Sequence, residues 1–332
     1  MNRLVKYVAM TMALMLLIGL LAGCSSAETV DIHDPGNVSA GFDDEELFDL
    51  AAEMVPLTAT PATFTLQMPV ASGTLTKKNA KAEIDYSNSA DGYIMVRFLQ
   101  RTTKQLRVLV TGPSGERYQY TLKQNGDWEV YPLSDGNGSY TIGVFEQIEG
   151  SKYATANSVT FSVTLKDEFA PFLRPNQYVN FTKESKVVTK AAELVKGKTD
   201  MMDKVAAVYE FVIKNFTYDQ AKARTVQSGY LPDVDAILAS GKGICFDYAA
   251  VMAAMLRSQG IPTKLIVGYA GTAYHAWISV YSPESGWVSN VIFFDGKEWK
   301  LMDPTFASSG NQSAEVMRYI GDGSNYTAKF SY

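Results

Sequence analysis

One stretch constrains the chain more than any other: residues 241–268, GKGICFDYAAVMAAMLRSQGIPTKLIVG. Gly-Lys-Gly followed by a run of Ala, Met, Val and Leu predicts a turn and then a helix whose first turn carries Cys245. After Gly260-Ile261-Pro262, the run Leu265-Ile266-Val267 predicts a strand. Thirty residues beyond Cys245 sits His275, one of two histidines, in GYAGTAYHAW, and Asp303 comes later in WKLMDPT. Further strands are expected at Ala276-Trp277-Ile278-Ser279-Val280, at Val291-Ile292-Phe293-Phe294, and, after an Asp295-Gly296 hairpin turn, at Trp299-Lys300-Leu301-Met302. His275 is placed between the strand ending at Gly268-Tyr269 and the strand beginning at Ala276-Trp277, as a strand-end imidazole.

Helical spacing precedes this stretch. Val187, Val188, Ala191, Leu194 and Val195 give one apolar face. Val205, Val208, Tyr209 and Val212 give a second, capped by Thr199 or Asp200, and Asp233 caps a third short helix through Ala236, Ile237 and Leu238. Helices first and antiparallel strands after define an α+β domain, residues 167–332, entered through Pro171 and Pro175.

Residues 62–166 alternate instead with period two: Phe64/Leu66/Met68, Ile94/Val96/Phe98, Leu106/Val108/Val110, Tyr118/Tyr120/Leu122, Tyr140/Ile142/Val144 and Val159/Phe161/Val163/Leu165. Turn signals at Asp91-Gly92, at residues 112–115, at Asn125-Gly126 and at Asn137-Gly138 separate them. Seven or eight such strands predict an antiparallel β-sandwich, loosely immunoglobulin-like. Its expected role is a spacer or recognition module. Trp128 and Tyr131 are its candidates for sugar or peptide contact, including contact with a cell wall, although such aromatics ordinarily fill cores.

The amino terminus is of another kind. MNRLVK is basic and is followed by an apolar run to Gly23, too short and one-sided for a membrane span, which predicts a secretory signal over residues 1–23. Leu21-Ala22-Gly23-Cys24 resembles a bacterial lipoprotein lipobox. The resemblance implies cleavage before Cys24, lipid attachment to that thiol and an extracytoplasmic protein anchored to the cell membrane. Residues 24–61 then form an acidic linker. Within it Leu47, Leu50, Ala51 and Met54 predict a short helix, and His33 is expected to be solvated. A net charge of −5 argues against a nucleic-acid partner. With Cys24 lipidated, Cys245 has no disulfide partner.

Cysteine, histidine and acid are the parts of a thiol nucleophile, its base and the group that orients the base. A free thiol has a pKa near 8.5. A helix N-terminus and a neighbouring imidazolium both favour the thiolate. The Cys245 amide could point at a developing oxyanion, with Gln227, Tyr230 and Trp277 as candidates for a second donor. Against this stands the ordinary use of each residue: a small core cysteine, a structural histidine beside aromatics, an aspartate in a turn before proline.

Resemblance adds to that reading. Gly243-x-Cys245-x-x-x-Ala249, Leu256-Arg257, Gly260-Ile261-Pro262, Gly268-Tyr269, His275-Ala276-Trp277 and Trp299-x-x-x-Asp303-Pro304-Thr305 together resemble the core of the transglutaminase-like superfamily. The resemblance spans residues 200–306. It implies a papain-like α+β core in which Cys245 is the nucleophile, His275 the general base and acid, and Asp303 its orienter; from the residues themselves no cofactor or metal is expected. Asp322-Gly323-Ser324-Asn325 is not a calcium loop. The interval from His275 to Asp303 is longer than the compact family core, which places extra hairpin length at residues 282–290 and around Asp295-Gly296. The implied activity is attack on a protein or peptide amide through a thioester, with hydrolysis favoured over amine transfer. The alternatives are a non-catalytic peptide- or wall-binding module that keeps the fold, and a structural spacer with an inert core thiol.

Overall fold

Period-two alternation between Ala82 and Val163 folds into two antiparallel sheets that share one apolar core. The structure is a computed structural model and describes residues 29–31, 64–283, 286–288, 292–294, 299–301 and 326–332. Its first strands are β1 (Thr29–Asp31), β2 (Thr76–Lys78), β3 (Ala82–Asp85), β4 (Tyr93–Phe98), β5 (Leu106–Thr111), β6 (Arg117–Thr121), β7 (Glu129–Pro132), β8 (Gly138–Glu149) and β9 (Lys152–Val163). One sheet runs β1-β9-β8-β5-β6 and the other β2-β3-β4-β7. Successive side chains of a strand point to opposite faces. Val108, Val110, Tyr140, Ile142 and Val144 of the first sheet therefore bury together with Ile84, Ile94 and Val96 of the second. Each such Val or Ile contributes about 1.5–3 kcal/mol relative to exposure.

In the amino-terminal part, three expectations need revision. Phe64, Leu66 and Met68 do not form a strand. Their segment runs outside both ladders, and side chains satisfy its backbone: Val70 donates its N–H to the Tyr93 hydroxyl, and Asn88 Nδ2 donates to the Val70 carbonyl. Its alternating residues serve docking instead. The Phe64 ring occupies the space beside Gly260, 2.5 Å from where a Cβ would stand. Within the expected linker, β1 joins the sheet, with Val30 opposite Tyr153. The helix expected over Leu47 to Met54, His33 and Cys24 lie outside the described residues. Tyr131 is a core residue whose hydroxyl donates to the Thr121 carbonyl, and the Arg97 guanidinium lies 4.4 Å over the Trp128 ring.

The free edge of β6 is covered rather than left as a template for pairing. Gln177 accepts from the Thr121 N–H at 3.1 Å and donates to its carbonyl at 2.8 Å, and the Tyr178 hydroxyl donates to the Gln119 carbonyl. The sandwich is thereby joined along one strand to the segment that leads into the helices.

Next come α1 (Lys186–Leu194), α2 (Met201–Asn215), β10 (Thr217–Tyr218), α3 (Gln220–Thr225), α4 (Val234–Ser240), β11 (Lys242–Gly243) and α5 (Cys245–Ser258). Asp200 caps α2, accepting from the Met202 and Asp203 amides, and Asp233 caps α4 by accepting from Ala236. Every residue of α5 from Asp247 to Ser258 is buried. A helix buried on all sides belongs at the centre of a fold, and α5 packs on α1, α2 and α4 as well as on the sheet.

That sheet has the order β14-β13-β12-β17, from β12 (Thr263–Ala270), β13 (Ala273–Ser282), β14 (Gly286–Val288) and β17 (Tyr326–Ser331). β15 (Ile292–Phe294) and β16 (Trp299–Leu301) pair as the expected hairpin, with Phe294 opposite Trp299. The architecture is mixed α+β, with the antiparallel sandwich amino-terminal to it. His275 is not between strands. It lies inside β13, paired with Gly268, because the β12–β13 hairpin keeps its ladder out to Ala270 and Ala273.

Candidate active site

The turn before α5 is built from three residues with separate tasks. Gly241 takes the left-handed conformation (φ +59°) that ends α4, and its N–H returns to the Ile237 carbonyl at 3.0 Å. Lys242 and Gly243 form β11, parallel to β10, with Gly243 beside Tyr218. Ile244 is the extended N-cap, which makes Cys245 the first helical residue. Isoleucine has no acceptor with which to cap a helix. The turn is held from the other direction: the Asp247 carboxylate accepts from the Ile244 N–H at 2.9 Å. Gly243 makes room for this, since a Cβ there would stand 2.5 Å from the Asp247 Cβ.

Asp247 is fully buried and compensated. Lys222 Nζ lies 2.6 Å from one carboxylate oxygen, and the Tyr230 hydroxyl donates to the other at 2.7 Å. Burial, followed by the hydrogen bond to Asp247 and then the Asp247 charge, pushes the Tyr230 hydroxyl well above its ordinary pKa. The same carboxylate therefore ties α3 and the loop leading to α4 onto the cysteine turn.

Cys245 is half-buried and is the first residue of a fourteen-residue helix. His275 is buried on β13. Its ring runs within 18° of parallel to Trp277 at 6.2 Å and meets Tyr326 of β17 at the same centroid distance. Close approach of β17 explains Gly268, the residue opposite His275: a Cβ there would lie 2.0 Å from the Thr327 carbonyl oxygen.

Cys245 and His275 line one cavity of about 660 Å³. Phe246, Tyr218, Tyr274 and the loop from Val226 to Leu231 also line it. Asp303 lies outside the described residues. Among the oxyanion candidates, Gln227 and Tyr230 reach the cavity, but Tyr230 donates to Asp247 and Gln227 Nε2 donates to the Thr225 carbonyl. Trp277 backs the imidazole. Among the described residues no three His, Cys, Asp or Glu side chains converge to hold a metal. Sequence reasoning missed Asp247 and Lys222. The available signal was a lone acid in the otherwise apolar run FDYAAVMAAML, which had to find a partner when buried.

Residues 188–290 match the family model of the transglutaminase-like superfamily. This stretch is a transglutaminase-like domain. It contains Cys245 and His275 and stops short of Asp303. Uncharacterized protein YebA of Bacillus subtilis is 32% identical over 198 residues, 51% of this chain and 26% of that protein, so the chain spans about a quarter of it. A protein-glutamine gamma-glutamyltransferase of Pseudomonas aeruginosa is 33% identical over 69 residues, 17% of this chain and 10% of that one. Among solved structures, a candidate cysteine protease from Cytophaga hutchinsonii aligns with a TM-score of 0.37 and 16% identity, covering 70% of this chain and 72% of that one.

Proposed function

We propose that the transglutaminase-like domain is a thiol enzyme acting on protein or peptide amides. The observation that carries the reading is that Cys245, at the start of a buried helix, and His275, on the facing sheet, open onto one cavity. The Cys245 sulfur attacks the carboxamide or peptide carbonyl while its proton passes to His275. His275 then protonates the departing amine or ammonia, leaving a thioester. Asp303 orients the imidazole and stabilises its charged form. Water, activated by the same imidazole, releases the acid, or a primary amine takes the acyl group. Hydrolysis is the favoured outcome, since no groove for an amine is evident among the described residues. The short alignment with a protein-glutamine gamma-glutamyltransferase supports the acyl-transfer class. The reading includes the site of action: lipid on Cys24, anchoring an extracytoplasmic domain to the bacterial cell membrane.

A glutamine-containing peptide offered to purified protein, with and without a primary amine, tests the chemistry by product mass. Deamidated or cleaved peptide is expected in both samples. An amine adduct as the main product would make the enzyme a transferase. No product, together with a Cys245 that iodoacetamide modifies only after denaturation, would leave a non-catalytic binding module. Metabolic labelling with a fatty-acid probe tests the anchor, which Cys24→Ala should abolish.

A further inference from the structure

The first strand limits how far the sandwich can stand from its anchor. Cys24, the residue assigned to the lipid, precedes Thr29 by five residues, and that length of chain spans at most about 18 Å. Thr29 then opens β1, which pairs antiparallel with β9: Thr29 opposite Ala154, Val30 opposite Tyr153 and Asp31 opposite Lys152. A linker free until Phe64 would have allowed about 140 Å. β1 therefore removes most of the slack between lipid and sandwich.

β1 is also a built part of its sheet. An uncovered edge of β9 would be a template for pairing with another chain. β1 covers that edge from Lys152 to Ala154, and just beyond it Asn79 Nδ2 donates to the Ala156 carbonyl at 2.7 Å. Asp31 and Lys152, of opposite charge, stand at one register position.

The candidate active site adjoins the other edge of the same sheet. The strand order is β1-β9-β8-β5-β6, and neighbouring strands lie about 4.8 Å apart, which puts β6 about 19 Å from β1. Arg107 and Leu109 of β5 and Arg117 and Gln119 of β6 line the cavity onto which Cys245 and His275 open. Among the described lining residues none comes from β1, β8 or β9.

We propose that β1 docks the sandwich edge-on against the bilayer surface, so that the sheet is a short arm holding its β6 edge, and the cavity beside it, within about 40 Å of the membrane. The partner is the bilayer that carries the lipid of Cys24, and the proposal rests on that lipid reading.

Energy transfer from protein to bilayer tests the arrangement. The full lipidated chain, carrying Cys245→Ala, takes a donor dye on one introduced thiol. The thiol comes from Lys152→Cys, exposed beside β1, or from Glu116→Cys, exposed just before β6. Vesicles of phosphatidylethanolamine and phosphatidylglycerol carry a headgroup-labelled acceptor lipid. Transfer is expected to be about twofold more efficient from position 152 than from position 116. T29P/V30P removes two successive amides, one of which faces β9. It should lower transfer from position 152 by a similar factor while thermal unfolding is kept. Equal, measurable transfer from the two positions overturns the proposal, and so does unchanged transfer in the proline variant. Failure of the lipid reading looks different: the chain then stays off the vesicles and neither dye transfers, which overturns the proposal along with that reading.

Discussion

Lys222 and Asp247 form an ion pair of 2.6 Å whose carboxylate is fully buried, two residues along the chain from Cys245. The pair joins α3 to the turn that presents the sulfur. Removing one partner of a buried pair leaves the other charged and unsatisfied. Asp247→Ala is therefore expected to cost about 3–5 kcal/mol, read from the urea midpoint, and to slow alkylation of Cys245 at neutral pH. A cost below about 1 kcal/mol would show that the pair does not hold the turn.

Cys245→Ala should abolish turnover and keep the unfolding temperature, since alanine suits the first turn of a helix. His275→Ala should abolish turnover as well. Asp303→Asn should lower the rate by about 10⁴-fold, as in hydrolytic triads generally. Initial rates with a glutamine-containing peptide decide each case. A wild-type rate in any one variant removes that residue from the assigned role.

Gly268→Ala tests the close approach of β17. The added methyl would meet backbone on both Thr327 and Ala328, which cannot rotate away as a side chain can. A destabilisation of about 1–3 kcal/mol is expected. Because Gly268 pairs with His275, thiol reactivity should fall with it. Calorimetry and alkylation rates together check this, and unchanged reactivity would uncouple β17 from the imidazole.

Acid sensitivity should arise partly at Glu146. Hydrogen bonds from Lys81, at 2.8 Å, and Thr102 hold its carboxyl below the ordinary 4.5, against an opposing effect of burial. A lowered folded-state value means that the contribution is complete above the unfolded value and is lost as pH falls through the folded one. Lys81→Met should remove part of the stability difference between neutral pH and pH values below 4.5 while changing little under acid conditions. Denaturant titrations across that window would show it, and parallel pH curves for the two proteins would refute it.

Much of the fold was legible because its signals are local. Alternation in β4, β5, β6 and β8 arises from the two faces of a strand, and Asp200 and Asp233 sit where unpaired helix amides need an acceptor. Other elements were missed for different reasons. The sequence QAKART of α3 has no apolar face, whereas YTAKFS of β17 does alternate, Tyr326, Ala328 and Phe330 against Thr327, Lys329 and Ser331, over only six residues; both are placed by partners distant in sequence. Phe64, Leu66 and Met68 had the alternation of a strand and no neighbouring strand to pair with.

The sequence alone determined that a helix begins at Cys245, that a strand carries or borders His275, and that a β-rich region precedes both. These depend on the spacing of neighbouring residues. Tertiary structure decided which residues share the cavity: Arg107 and Arg117 come to Cys245 from more than a hundred residues away, and Lys222 finds Asp247 across two intervening elements. Such meetings depend on which faces bury against each other, and burial is a property of the assembled chain that no short window of residues contains.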